Sequence, residues 1–168
     1  MNSIQRNWLL ETASVAVAAK HIYARMAACE AALESDYGQS ALAREANNLF
    51  GMKAHIHPEH GTIILPTKEF LDGNWISASA EWMKYETIAE CFEDRIETLT
   101  RLRTKYQHYM AALLAQTSED YVREVSKTWS TDPQRAEKCI AIFNEAFGGS
   151  GSGNGNTHDD VQSAATAT

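Results

Sequence analysis

Apolar residues recur at spacings of three and four over most of this chain, which is the period of helices that bury one face. This period predicts helices over residues 3–20, 23–34, 39–45, 87–103 and 118–126, with apolar side chains continuing from 106 to 114 after a bend. A last helix should begin at Asp132, a good capping residue, with Pro133 at its first position, and should end at Gly148. The pattern therefore predicts a mainly helical domain.

The period changes between residues 52 and 85. The β-branched run at 62–65 is followed by the turn signal Asp72-Gly73-Asn74, and an extended pattern resumes at Trp75. We therefore predict a β-hairpin over 63–70 and 75–83, so the fold class is α+β and mainly α. A small hairpin in a helical domain has little support, which makes it a candidate lid over a site.

The apolar period ends at Gly148, where the composition changes to glycine, serine, asparagine, threonine and alanine. We interpret residues 148–168 as a disordered tail or linker and residues 1–147 as one domain. A chain of 168 residues with 44% hydrophobic content is sufficient for one ordinary core.

Composition excludes several classes of partner and ligand. The net charge is −7 and no basic stripe is present, so no nucleic-acid partner is expected. The three cysteines are odd in number and lack a metal-binding spacing, so they are predicted to be buried free thiols. Three histidines lie within six residues, namely His55, His57 and His60. No acidic or cysteine pattern completes a metal site around them, so we expect no metal and no cofactor.

The first residues lack the basic leader and apolar core of a signal peptide, and no apolar run reaches the length of a membrane span. We therefore expect neither a signal peptide nor a membrane-spanning segment. Such a protein would stay cytoplasmic until cell lysis, dedicated export or delivery on a phage particle released it.

One carboxylate has an unusual position. Met26, Cys29 and Leu33 form the buried stripe of the second helix, and Glu34 falls at the edge of that stripe. Partial burial disfavours the charged form of Glu34, and Glu30 one turn earlier should add a like charge. Both effects favour a general acid. From the residues alone, a solvated glutamate at a helix end is the alternative.

The sequence AALESDYGQSALA at 31–43, followed by NNLFGMK at 47–53, resembles the signature of glucosaminidase-type peptidoglycan hydrolases, glycoside hydrolase family 73. The resemblance implies a lysozyme-like helical domain with a small hairpin lobe and an active-site groove between them. It also implies that Glu34 is the catalytic acid and that the NNLFG segment shapes the floor of the glycan groove, with Asn47 and Asn48 as substrate-binding residues. The implied activity is that of an endo-β-N-acetylglucosaminidase on peptidoglycan glycan strands.

Glycoside hydrolysis usually needs a second group opposite the acid. The segment Thr67-Lys68-Glu69 resembles a Thr-x-Glu stretch in the β-lobe of the family, which implies that Glu69 is the second carboxylate. The 2-acetamido group of a substrate can itself be the nucleophile, and Glu69 would then orient or stabilise. The other reading of Glu69 is a solvent-exposed hairpin residue.

Aromatic side chains are expected along the groove, because sugar rings present flat C–H faces. The candidates for sugar stacking are Tyr37, Trp82, Tyr85 and Trp129, whereas Phe50 is assigned to the core.

Three residues depart from the family pattern. Met83 stands where an arginine is usual, Trp129 replaces a groove tyrosine, and Arg135 stands where a tyrosine is common. Two alternatives therefore stay open. One is a muramidase or lytic transglycosylase on a related lysozyme-like scaffold, and the other is a non-catalytic peptidoglycan-binding component of a phage or secretion apparatus.

Overall fold

The computed structural model describes residues 1–54, 60–71 and 74–148, and the side chains of 67–71 and 74–77 lie outside that description. Seven helices and two strands occur in this part of the chain: α1 Ser3–Ala18, α2 Ala24–Ser35, α3 Ala41–Ala46, β1 Gly61–Leu71, β2 Asn74–Lys84, α4 Ile88–Leu102, α5 Gln107–Leu113, α6 Ser118–Trp129 and α7 Arg135–Phe147. The predicted class, a mainly helical domain with one small hairpin, is confirmed.

Helix α2 is the central element of the fold. It packs against α1, α6 and α7, and its alanines allow these helices to approach closely. The single buried stripe predicted for α2 is too narrow, because nine of its residues are buried: Ala24, Met26, Ala27, Ala28, Cys29, Glu30, Ala31, Ala32 and Ser35. One of the nine is a glutamate, and its burial requires compensating charges.

The end of α2 is a run of left-handed residues rather than a single glycine stop. Asp36 and Tyr37 have φ angles of 51° and 53°, and Gly38 follows at 77°. A Cβ at Gly38 would lie 2.8 Å from Nε1 of Trp8, so this position requires glycine for its space as well as for its φ angle.

The last helix begins later than predicted, at Arg135. Asp132 still supports that start, since its Oδ1 accepts a hydrogen bond from the Gln134 amide at 2.9 Å. The difference arises because Asp132, Pro133 and Gln134 form a turn before the helix. The predicted tail lies outside the described residues from position 149 onward, so the domain boundary stays a prediction.

The hairpin is confirmed, with a continuous antiparallel register from Gly61 opposite Lys84 to Leu71 opposite Asn74. The segment after α3 extends this ladder, because the Met83 amide donates to the carbonyl of Met52 at 3.0 Å. The Ala54 amide likewise donates to the carbonyl of Glu81 at 2.9 Å. The small β-lobe is therefore joined by backbone bonds to the loop that follows α3.

All three cysteines are free and buried, as predicted: Cys29, Cys91 and Cys139. Burial raises the pKa of the Cys91 and Cys139 thiols to about 12, so these two thiols are protonated at neutral pH.

Among the helices described, none has the length and apolar character needed to cross a membrane.

Candidate active site

Glu34 lies at the C-terminal end of α2 and lines a groove of about 640 Å³. Its side chain is 27% exposed, although the residue as a whole is exposed because its backbone lies at the helix end. The groove is also lined by the loop after α3, by β2, and by residues of α4, α5 and α6: Phe50, Gly51, Met52, Lys53, Ala54, Trp82, Thr98, Arg101, Leu102, Tyr109, Thr128 and Trp129. The predicted acid is thus at a groove between the helices and the β-lobe.

The serine after Glu34 fixes the end of this helix. The Ser35 hydroxyl donates to the Ala31 carbonyl at 2.6 Å and accepts from the Gly38 amide at 2.9 Å. The Ser40 amide donates to the Ser35 carbonyl at 2.9 Å, and the Ser40 hydroxyl accepts from the Ala43 amide and caps α3. The Glu-Ser-x-Tyr-Gly-x-Ser spacing therefore holds the backbone around Glu34 in one conformation.

The NNLFG segment lines the groove through Phe50 and Gly51, whereas Asn47 and Asn48, the predicted substrate-binding residues, are not among the lining residues. Asn47 adopts a left-handed conformation and donates to the carbonyls of Tyr85 and Glu86 at 3.0 and 2.9 Å. Asn48 is buried and donates to the carbonyls of Met52 and Met83, each at 2.9 Å. These hydrogen bonds tie the groove-lining loop to the end of β2 and to the two residues that follow it.

The four aromatic candidates divide into two pairs. Trp82 and Trp129 line the groove, whereas Tyr85 and Tyr37 are not among its lining residues, and sugar stacking by the two tryptophans stays a prediction. Tyr85 is 2% exposed and its hydroxyl donates to Asp94 Oδ2 at 2.5 Å, so a partner that sequence analysis did not identify directs this ring into the core. The Tyr37 ring packs edge-on against Trp8 at 5.9 Å.

Phe50 is buried, as predicted, although it also contributes to the groove surface. Met83 is buried as well, so this position offers the groove neither a charge nor a hydrogen bond.

Glu69 is on β1 opposite Ile76, in the half of the hairpin nearer the turn. Position 63, which pairs with Trp82, precedes position 69 by six residues on the same strand. Because this offset is even, positions 63 and 69 lie on the same face of the ladder. Six residues of strand span roughly 20 Å. The Glu69 side chain lies outside the description, so its role in catalysis stays a prediction.

Two buried arginines accompany the acidic residues of α2, and sequence analysis missed this role for both. Glu30 is fully buried, and its Oε1 accepts from Nη2 of Arg95 and from Nη2 of Arg135, each at 2.9 Å. Arg135 Nε also donates to Glu34 Oε1 at 2.7 Å. The expectation that Glu30 acts on Glu34 as an uncompensated like charge is therefore wrong.

The two arginines keep the buried Glu30 ionised. Burial alone would raise the pKa of Glu30, but the charges of Arg95 and Arg135 outweigh burial and hold that pKa below its usual value. Arg95 in turn stacks on Trp129, with 3.4 Å from its guanidinium carbon to the ring centroid. Glu30 therefore connects the two sides of the site: through Arg95 it contacts the groove residue Trp129, and through Arg135 it contacts Glu34.

Within residues 1–54, 60–71 and 74–148, no group of three potential ligands is arranged to hold a metal ion. His60 lies against the Tyr85 ring at 5.1 Å and 3.6 Å from a carboxylate oxygen of Glu90. His55 and His57 lie outside the described residues.

A groove lined by one carboxylate and two tryptophans offers a proton donor and apolar ring faces, the groups that a site for sugar cleavage needs. Residues 10–147 match the glucosaminidase family, described as mannosyl-glycoprotein endo-beta-N-acetylglucosaminidase. Because that match covers most of the chain, the chain belongs to the glucosaminidase family and is a glycoside hydrolase domain.

Named relatives agree with this assignment. The exo-glucosaminidase LytG of Bacillus subtilis is 32% identical over 126 residues, which are 73% of this chain and 43% of LytG. The peptidoglycan hydrolase FlgJ of Escherichia coli is 28% identical over 120 residues, 69% of this chain and 37% of FlgJ. The chain thus spans less than half the length of the curated relatives it matches.

Among solved structures, the catalytic domain of the autolysin Auto from Listeria monocytogenes has the same fold. Its TM-score is 0.71 at 23% identity, and the alignment covers 87% of this chain and 86% of that domain.

Proposed function

We propose that this domain is an endo-β-N-acetylglucosaminidase that cleaves the GlcNAc-β-1,4-MurNAc bond of peptidoglycan glycan strands, with Glu34 as the general acid. The observation that carries the proposal is the position of Glu34 on the wall of the groove that Trp82 and Trp129 also line. The family assignment and the name of FlgJ support the substrate class.

Different residues of the groove bind the sugar rings and transfer the proton. Trp82 and Trp129 offer flat apolar faces to successive sugar rings, while Glu34 protonates the glycosidic oxygen of the bond between them. As that bond breaks, positive charge develops at the anomeric carbon, which a second carboxylate or the substrate's own acetamido group captures.

Glu69 is our candidate for the second carboxylate. Its position shares a face of the ladder with position 63, whose partner Trp82 lines the groove. Because it is nearer the hairpin turn, Glu69 acts on the substrate only when the hairpin curves or closes over the groove. Such closure would also exclude bulk water from the reaction.

The substrate defines where the domain works. Peptidoglycan strands are its partner, so its action is at the bacterial cell wall. Lysis, a dedicated export machine or a phage particle would bring it there.

The test identifies the sugar at the newly formed reducing end. Purified peptidoglycan is digested, the fragments are reduced with borohydride, and the reduced terminus is assigned by mass spectrometry. Reduced N-acetylglucosamine is the expected result. Reduced or 1,6-anhydro muramic acid would replace the proposal with a muramidase or lytic transglycosylase, and wall binding without any product would favour a non-catalytic component.

Fragment length over time separates internal cleavage from release of terminal sugars. An endo-acting enzyme shortens long strands early in the digestion. LytG carries the name of an exo-enzyme, so early release of small fragments alone would place this domain with LytG in that respect.

A further inference from the structure

Arg135, the first residue of α7, is buried, and each of its three side-chain nitrogens contacts a different acceptor. Its Nε donates to Glu34 Oε1 at 2.7 Å, Nη1 to the Ser126 hydroxyl at 2.9 Å and Nη2 to Glu30 Oε1 at 2.9 Å. The side chain is 1% exposed. Its orientation is therefore fixed by α2, α6 and α7 together, without contact to a bound glycan.

The contact with Arg135 makes the two oxygens of Glu34 unequal. Oε1 accepts from a guanidinium N–H that cannot give up its proton, so Oε1 is the oxygen that stays unprotonated. Oε2 has no hydrogen bond to any residue that the structure describes, and Glu34 lines the groove. The transferable proton of the acid therefore belongs on Oε2.

We propose that Arg135 is a positioning residue, which orients Glu34 so that Oε2 presents its proton to the glycosidic oxygen and which stabilises the carboxylate left after transfer. This inference rests on the proposed function, since it assumes that Glu34 is the acid. Proton transfer from Oε2 to the leaving oxygen breaks the O–H bond of Glu34 and leaves its carboxylate beside the guanidinium.

The charges of the cluster support the second half of this role. Glu30, Glu34, Arg95 and Arg135 are two acids and two bases, so the cluster is neutral when Glu34 is ionised. Proton donation by Glu34 moves the cluster from a net positive charge to neutrality. A fixed cation that meets negative charge as it develops lowers the barrier of that step.

Arg135 is the closest charged neighbour of Glu34 among the residues that the structure describes. Other charged groups of the groove are Lys53 in the loop after α3 and Arg101 on α4. Only Arg135, of these three cations, has a hydrogen bond to the Glu34 carboxylate.

The test compares Arg135→Gln with Arg135→Lys in a reducing-end assay on soluble glycan strands, with kcat and KM measured separately. For Arg135→Gln we expect kcat to fall about 100-fold, as misplacement of a catalytic group can cause. KM should stay near the wild-type value because Arg135 does not touch the substrate.

Arg135→Lys keeps the positive charge beside Glu30 and remains informative even if Arg135→Gln does not fold. We expect its kcat to fall as well, with KM near the wild-type value, since a lysine supplies charge without the three-way orientation. Wild-type kcat in Arg135→Lys would overturn the orienting role. Arg123→Gln is the matched control, because Arg123 pairs with Glu119 and Glu137 on the surface and should leave both readouts unchanged.

The outcomes separate this inference from the proposed function. Folded Arg135→Gln with kcat at the wild-type value, or with its loss of activity confined to KM, would overturn the inference alone. A wild-type chain that releases no reducing ends would overturn the proposed function, and the inference with it.

Discussion

His21 should make this domain lose stability in mildly acidic solution. The imidazole is 3% exposed and lies edge-on to the rings of Phe92 and Tyr121. Its Nδ1 accepts from the Tyr23 amide at 3.4 Å, and its Nε2 has no hydrogen-bond partner in the described part of the chain. Burial lowers the pKa of His21 from 6.5 to about 4, with Glu30 opposing that shift and Arg95 adding to it.

The size of the effect follows from proton linkage. In the unfolded chain His21 binds a proton as the pH falls below its ordinary pKa of 6.5. In the folded chain the pKa of His21 is about 4, so the imidazole stays neutral down to about that pH. Acid therefore favours unfolding over this interval, and stability rises with pH. One pKa unit corresponds to about 1.4 kcal/mol, so lowering the pH from about 7.5 to about 5 should cost about 2 kcal/mol. Most carboxylates stay ionised within this window.

The assay is urea unfolding followed by tryptophan fluorescence at intervals between these two pH values. His21→Asn keeps an acceptor for the Tyr23 amide and cannot titrate, so its stability should be lower overall but nearly independent of pH here. His108→Asn is the control, because His108 is about a third exposed and pairs with Glu124 at the surface. Wild-type stability that does not change across the window, or the full slope retained in His21→Asn, would refute this reasoning.

Two further predictions concern the support of the site. Glu30→Gln removes a fully buried charge and leaves the buried Arg95 without its ion pair to Glu30, while Arg135 keeps only its ion pair to Glu34, so the free energy of unfolding should fall by about 3–5 kcal/mol in urea; a loss below about 1 kcal/mol would show that the ion pairs to Glu30 do not matter for stability. Gly38→Ala combines a φ angle of 77° with a Cβ at 2.8 Å from the Trp8 indole nitrogen, so it should cost about 1–3 kcal/mol. Gly61→Ala, where the nearest atom is at 3.9 Å, should cost less in the same urea experiment, and equal losses would contradict the packing argument.

Most of the fold could be predicted from the sequence because its signals are local. Helical periodicity located the helices within a few residues, and the β-branched run with its Asp-Gly-Asn turn located the hairpin. Glu34 was identified by a motif, and the motif has a local cause. Ser35, Gly38 and Ser40 hold the chain around Glu34 by backbone hydrogen bonds over short sequence distances.

The buried ion cluster was not predicted, because its members are distant in sequence and arginines are usually at the surface. Arg135 stands 101 positions after Glu34, and nothing in the local pattern pairs them. Tyr85 was misassigned for a similar reason. Its aromatic character suggested sugar stacking, but Asp94 on another element determines where its hydroxyl points.

The role of Glu34 is tested most directly by Glu34→Gln, measured by the rate of reducing-end release from purified peptidoglycan. Glutamine keeps the size of the side chain and an acceptor for Arg135 but has no proton of suitable acidity to donate. The account predicts a rate roughly 10²–10⁴-fold below wild type in a folded protein, with Glu45→Gln, an exposed glutamate on α3, at the wild-type rate. A Glu34→Gln variant that retains the wild-type rate would contradict the account.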